Sequence, residues 1–226
     1  MRTNKISVVF DGPAGVGKST IAKTLAYRLN FQYIDTGAMY RTATLLALEH
    51  SLPLEADSER AIVDLVTAYM FRFVPDCTGS FRTYYGGRDV SELIRSEAVS
   101  AGVSLVAKLP GVRNALTEIQ RQLAAESDVV MEGRDIGTVV LPHARYKFFL
   151  TASADKRAER RYLELKQTSE EVSLEAVRTN ILTRDHLDST RAVAPLSIPE
   201  DAIVIDTTEL TIPEVLDKVL SVVNKC

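Results

Sequence analysis

The run Gly12-Pro13-Ala14-Gly15-Val16-Gly17-Lys18-Ser19 constrains this 226-residue chain more than anything else in it. It fits G-x-x-x-x-G-K-[ST] in full. Before it lies an apolar run, Ile6-Ser7-Val8-Val9-Phe10, closed by Asp11-Gly12-Pro13. After it, from Ile21 to Leu29, apolar residues fall at 21, 22, 25, 26 and 29. The first stretch reads as a buried parallel strand and the second as a helix. A strand, a glycine-rich turn and a helix start aim backbone N–H groups at one point, and the helix dipole adds partial positive charge there. Glycines let that backbone wrap an anion closely. The expected guest is a nucleoside triphosphate, with Lys18 as a point charge on its outer phosphates and the Ser19 hydroxyl on Mg²⁺. Thr20 is grouped with this phosphate-binding stretch, although alone it reads as a helix-start residue without a role.

The alternation continues. Phe31-Gln32-Tyr33-Ile34 reads as a second strand closed by Asp35-Thr36-Gly37, and Ala38 to Glu49 as a helix. Strand, helix, strand, helix favours α/β with a parallel sheet. Ser58 to Tyr69 reads as a helix with Ser58 as its N-cap. Phe71 to Val74, Phe81 to Tyr85 and Asp89-Val90 then read as strands, with Gly79-Ser80 and Gly86-Gly87 as tight turns. This small antiparallel patch predicts an inserted subdomain at about 70–90. A helix from Ser91 to Val106 and another started by Pro110 follow. Asp128 to Met131 and Tyr146 to Leu150 read as core strands. Helices are expected from Ala154 to Lys166, from Ser173 onward with Ser173 as N-cap, and from Ile212 to Val223. Ala202 to Ile205 reads as a last core strand. The polar stretch Lys166 to Ser173 is expected to be a mobile loop.

Composition narrows the function. Hydrophobic residues are 46% and charged residues 25%, the balance of a soluble globular protein rather than a disordered one. With 27 Lys and Arg against 30 Asp and Glu, the formal charge is −3, without the excess of base that bulk nucleic-acid binding needs. The two cysteines, Cys77 and Cys226, argue against a disulfide framework, and no zinc-ligand spacing occurs. The expected setting is a reducing cytoplasm. The apolar run before Asp11 is too short for a signal-peptide core, and no stretch reaches the roughly 20 apolar residues of a membrane span.

A triphosphate cradle leaves three readings open: a kinase, a motor or transport ATPase, and a GTP-dependent switch. A switch needs N-K-x-D after the loop. Only Asn4-Lys5, before it, and Asn224-Lys225, at the end, occur. Asp76-Cys77-Thr78-Gly79 matches D-x-x-G but looks like a hairpin turn. Arginines at strand ends favour a second anion site. Arg41 follows the second strand and Arg134 the strand at 128–131, both at the sheet edge where the phosphate loop lies. A planar guanidinium binds two phosphate oxygens at once. Arg157, Arg160 and Arg161 fall on one helical face, either a solvated salt-bridged face or a lid over triphosphate. Arg184, Asp188 and Arg191 share a face if their helix continues that far. His50, His143 and His186 are scattered and read as structural.

Four segments together resemble the bacterial cytidylate kinases, in that family's order and over nearly the whole chain. They are Asp11-Gly12-Pro13 with the phosphate loop, Asp35-Thr36-Gly37-Ala38-Met39-Tyr40-Arg41, Glu132-Gly133-Arg134-Asp135-Ile136-Gly137-Thr138-Val139-Val140, and Arg191-Ala192-Val193-Ala194-Pro195-Leu196. The resemblance implies a three-layer P-loop NTPase-type parallel sheet flanked by helices. It implies one kinase domain over 1–226, with its core at about 1–65 and 97–226. A small β-rich monophosphate-binding insert is expected at about 66–96 and a helical lid at about 155–172. It further implies phosphorylation of CMP and dCMP by ATP with Mg²⁺, in a cytoplasmic monomer without nucleic-acid or membrane partners. The alternatives are a kinase for UMP or AMP, or a non-catalytic nucleotide-binding regulator.

Residue roles follow from the same resemblance. Gly12 to Thr20, Arg157 and Arg161 would hold ATP. Arg41, Arg134 and Arg184 would hold the acceptor's phosphate and, with Lys18, act in transfer. Asp188 and Arg191 would contact sugar and phosphate. Ser104, Arg113 and Asp135 would read cytosine, and Thr36 belongs to the CMP site. Glu132 stands where Asp is expected, keeping the charge on a longer side chain. Asp135 would accept a hydrogen bond from the cytosine N4 amino group, which uracil lacks.

Overall fold

A computed structural model describes residues 5–77, 79–166 and 172–223. Strand β1 is Ser7–Asp11 and helix α1 Lys18–Leu29; β2 is Gln32–Asp35 and α2 Thr36–Glu49; α3 is Glu59–Thr67. The strands β3 Phe71–Pro75, β4 Phe81–Tyr85 and β5 Arg88–Asp89 follow, then α4 Glu97–Val106 and α5 Pro110–Glu126. The chain continues through β6 Val129–Glu132, β7 Tyr146–Thr151, α6 Ala154–Lys166, α7 Leu174–Thr190, β8 Ile203–Asp206 and α8 Ile212–Val223.

Five strands form one sheet in the order β2-β6-β1-β7-β8, all parallel. Helices flank it, as expected of a three-layer α/β fold of the P-loop NTPase type. Continuous apolar runs suit strands covered on both faces. Val8, Val9 and Phe10 of β1 are wholly buried, and each such side chain contributes about 1.5–3 kcal/mol. Phe10 stacks on Phe148 of β7 at 5.2 Å. Register pairs Phe10 with Glu132 and Asp35 with Glu132, so Asp11, Asp35 and Glu132 gather at the carboxyl edge of the sheet. The order reverses at β1, which places a crevice at that edge.

The antiparallel insert is present as β3-β4-β5. Its turns use positive φ at Gly79 (79°) and at Gly86 and Gly87 (57° and 80°), which glycine adopts freely. Asp76 to Gly79 is a hairpin turn, with Gly79 N–H donating to the Asp76 carbonyl; Thr78 lies outside the described residues. Helices α6 and α7 carry a small core of their own, Ala158, Val177 and Ile181, separate from the main one. The Ser173 hydroxyl caps α7 by accepting from Ala176 N–H at 3.1 Å, a contact contributing about 1 kcal/mol. Of the polar stretch 166–173, residues 167–171 lie outside the described residues.

Several local expectations are corrected. Ser58 precedes α3 but makes no capping bond; a 3₁₀ turn, Ala56–Ser58, leads into the helix instead. The single helix expected from Ser91 is a 3₁₀ turn, Leu93–Arg95, then an extended Ser96 (ψ 156°), then α4. Apolar spacing runs through that break, so periodicity alone did not reveal it. Asp35 caps α2 by accepting from Ala38 N–H at 2.9 Å, so Thr36 and Gly37 already belong to the helix. Strand β8 is an edge rather than a core strand, with Ile203 and Val204 exposed.

Candidate active site

The loop between β1 and α1 forms the expected cradle. Gly12, Gly15 and Gly17 have φ of 140°, 79° and 91°. A Cβ on Gly12 would lie 2.0 Å from the Leu150 carbonyl oxygen, so the loop passes β7 as only glycine can. Lys18 is buried and folds back on the loop, donating to the carbonyls of Gly12 and Pro13 at 2.7 and 2.6 Å. Burial and Arg134 push its pKa well down, against the pull of Glu132 and Asp11. Ser19 and Thr20 are exposed, and the Ser19 hydroxyl donates to Glu132 Oε2 at 2.9 Å.

Facing the cradle is a crowd of cations. Arg134, just past β6, donates to Asp188 of α7 at 2.8 Å. Arg184, one turn earlier on α7, has a buried Nε without a hydrogen-bond partner among the described residues. Burial, then Arg134 and Arg41, push its pKa down to about 10, with Asp188 opposing. Arg41 on α2 donates to the Ile94 carbonyl at 3.1 Å and the Ser100 hydroxyl at 2.9 Å. Burial lowers its pKa too, and Arg95, Arg161 and Arg134 add to that. Burial opposes ionisation of Asp188, but Arg134 and Arg184 outweigh it and hold its carboxyl below the usual range. Lys18 feels the charges of Arg134 and Arg184, and Arg184 feels those of Arg134 and Arg41, so these expected residues lie within electrostatic reach of one another. A buried guanidinium nitrogen without a partner is costly, so it marks a place for an acceptor such as an anion.

A second group sits beside it. Arg113, in the first turn of α5, donates to Asp135 Oδ2 at 2.5 Å, and Arg191 donates to Oδ1 at 3.2 Å. Arg113 also lies over the Tyr40 ring, 5.4 Å from its centroid. Each carboxylate oxygen of Asp135 keeps a second lone pair for a ligand. Arg191 stands one residue beyond α7, which stops at Thr190, yet it reaches within 3.8 Å of Asp188. Ser104 lies half-buried on α4 and makes no bond with this group. The Thr36 hydroxyl is used structurally, donating to the Glu132 carbonyl at 2.7 Å.

The expected cationic face of α6 is divided. Arg157 is buried and bonds Asp185 of α7, the Ala152 carbonyl and the Ala14 carbonyl of the phosphate loop. Arg160 ties α6 to the Thr207 carbonyl at 2.6 Å. Arg161 pairs with Glu164 on the surface at 2.9 Å. Helical spacing put the three together, but each found a different neighbour.

The partnerships of three residues escaped sequence reasoning. Asp11 accepts from Ile136 and Gly137 N–H at 2.9 and 2.7 Å, so the end of β1 holds the π-helical turn Ile136–Val140 that follows Asp135. Burial pushes its carboxyl up to about 6, against those two N–H groups. Tyr33 donates its phenol to Glu132 Oε1. Glu132 is thus held on both oxygens, and burial and Asp35 raise its pKa while Lys18 opposes. The signal in the sequence was position alone: Asp11 and Glu132 end adjacent strands, and Tyr33 lies within the next one.

The chain is similar to known proteins over its length. A profile described as cytidylate kinase matches residues 8–225. The cytidylate kinase of Carboxydothermus hydrogenoformans is 49% identical over 96% of this chain and 97% of the relative. That of Caldanaerobacter subterraneus subsp. tengcongensis is 50% identical over 97% and 95%. Among solved structures, an uncharacterized protein from Eubacterium ventriosum aligns over 99% of this chain and 100% of its own with a TM-score of 0.53. At 13% identity that match bears on the fold alone.

Proposed function

The chain belongs to the cytidylate kinase family, and from that premise we propose how its site works. The protein transfers the terminal phosphoryl group of ATP to CMP or dCMP, giving ADP and CDP or dCDP. The attacking atom is an oxygen of the acceptor's phosphate, which is mostly dianionic at neutral pH because its second pKa is about 6. No general base is needed. The obstacle is the approach of two polyanions in line, and the remedy is positioning and dispersed positive charge.

The backbone N–H groups of the loop from Gly12 to Ser19, Pro13 having none, and the Lys18 ammonium hold the donor's phosphates. To do so, Lys18 exchanges its two loop carbonyls for phosphate oxygens. Arg41, Arg134 and Arg184 hold the acceptor's phosphate and face the transferred group. Arg191 and Asp188 support sugar and phosphate. Asp135, steadied by Arg113 and Arg191, accepts from cytosine N4, with Ser104 expected at the same base. Arg157 and Arg161 bring α6 over the donor, and Arg157 already touches the loop at the Ala14 carbonyl. Closure of α6–α7 and of the insert would keep water from the phosphoryl group.

The residues present fit Mg²⁺. Among the described residues no cluster of three or more acidic, His or Cys side chains makes an all-protein metal cage. Mg²⁺ on a nucleotide asks for less, one or two protein oxygens beside phosphates and water. The Ser19 hydroxyl and Glu132 carboxylate offer that at the mouth of the cradle. When bound, the ion supplies charge neutralisation between the outer phosphates.

The observation that carries this reading is the buried Nε of Arg184, partnerless among the described residues and surrounded by like charges beside a phosphate cradle. The test is incubation with Mg·ATP and each nucleoside monophosphate, with the products resolved. Diphosphate is expected mainly from CMP and dCMP, and Lys18→Ala should abolish it. Asp135→Asn should weaken the preference for CMP over UMP. Product mainly from UMP or AMP, hydrolysis without an acceptor, or binding without turnover would overturn the assignment.

A further inference from the structure

We infer that Tyr33 is a positioning residue for the metal-bearing end of the cradle, acting through Glu132 on Ser19 and held in place by the insert. Tyr33 lies on β2 and is 1% exposed. Its phenol donates to one oxygen of Glu132, and the other oxygen accepts from the Ser19 hydroxyl at 2.9 Å. Its ring packs against Phe81 of β4, with centroids 4.7 Å apart, and edge-on to Phe73 of β3 at 6.3 Å. One unbroken series of contacts therefore runs from the acceptor-side insert to the donor-side hydroxyl.

Each link has a physical reason. Glutamate carries one more rotatable bond than aspartate, so its carboxylate needs a second anchor to hold one position. The phenol is that anchor, and the Thr36 hydroxyl pins the Glu132 carbonyl besides. A phenylalanine would fill the same space between Phe73 and Phe81, so packing alone does not call for the hydroxyl. Ser19 is exposed at a helix start, where its hydroxyl is free to rotate. A fixed Glu132 selects the rotamer that points to the mouth of the cradle. Lys23, 5.7 Å from the ring centroid, adds a cation over the face of the same ring.

The inference rests on the proposed reaction only in taking Ser19 as the metal-facing hydroxyl. Its test is calorimetric titration of ADP, with Mg²⁺ or with EDTA, into the wild type, Tyr33→Phe, Glu132→Gln and the double variant. Tyr33→Phe keeps the ring and its packing. It should weaken Mg·ADP binding about tenfold, the loss of one hydrogen bond to a charged group. Metal-free ADP binding should stay within about twofold of wild type, and adding Tyr33→Phe to Glu132→Gln should change Mg·ADP affinity by less than about twofold, because both act through one bond. In turnover, KM for Mg·ATP should rise and KM for CMP should not. Equal weakening with and without Mg²⁺, or full additivity in the double variant, overturns the inference. The binding measurements use no acceptor, so a wild type that binds Mg·ADP but does not phosphorylate CMP sinks the proposed reaction separately.

Discussion

Arg184 shows what a binding site requires of a single residue. Its Nε is shut away from solvent with no partner among the described residues, and Arg134 and Arg41 repel it. Asp188 pulls the other way. Removing one half-buried charge from a group of like charges relieves the folded state, whereas the proposed transfer loses a guanidinium that would face the phosphate. Arg184→Met is therefore expected to unfold at a higher temperature than wild type and to transfer phosphoryl about 10³-fold more slowly, the low end of what such an arginine contributes. Calorimetry and product formation from CMP check the two halves. A variant both less stable and fully active would place Arg184 outside the site. Arg113 differs, because Asp135 pairs with it closely and Tyr40 lies against it. Removing Arg113 would leave a buried carboxylate with one partner fewer, and stability should fall rather than rise.

The phosphate loop is an element whose shape comes from its backbone. Gly12 combines a φ of 140° with a backbone oxygen where a Cβ would stand. Gly79, in the hairpin of the insert, has a φ of 79° and open space. The same substitution thus has two prices. Gly12→Ala is expected to lose more than about 3 kcal/mol, because strain and overlap add. Gly79→Ala should lose about 1 kcal/mol from the left-handed conformation alone. Urea unfolding of the two variants makes the comparison, and equal losses would show that loop and strand separate at little cost. The helices α6 and α7 are also elements with a purpose. Their small common core and the Arg157–Asp185 ion pair hold them to each other, while Arg157 also ties α6 to the loop.

At the scale of the whole molecule, the insert has a sheet of its own and the α6–α7 pair a small core of its own, beside the five-stranded sheet that carries the phosphate loop. An anion that binds only the folded form stabilises it by mass action. Mg·ADP at about 100 times its Kd should add about 2.7 kcal/mol. For a chain of this size that raises Tm by about 5–10 °C. Lys18→Ala should lose most of the shift, and an undiminished shift in that variant would place the nucleotide elsewhere. Much of this architecture was legible in the residues. The G-x-x-x-x-G-K-[ST] run, the apolar strands and the glycine turns are local, and short-range sterics and periodicity dictate their structure wherever they occur. Arg41, Arg134 and Asp135 were legible as well, because residues just past parallel strands must reach the same edge of the sheet. What local sequence could not contain was the choice of partner. Whether Arg157, Arg160 and Arg161 formed one face or three separate ties depended on what α7 and the end of β8 brought alongside. The links from Tyr33 to Glu132 and from Asp11 to the turn after Asp135 span 99 and more than 120 residues. Such bonds exist only once the sheet has set its strand order, since hydrogen bonds and ion pairs act over a few ångströms and the chain alone does not say which distant groups will come that close.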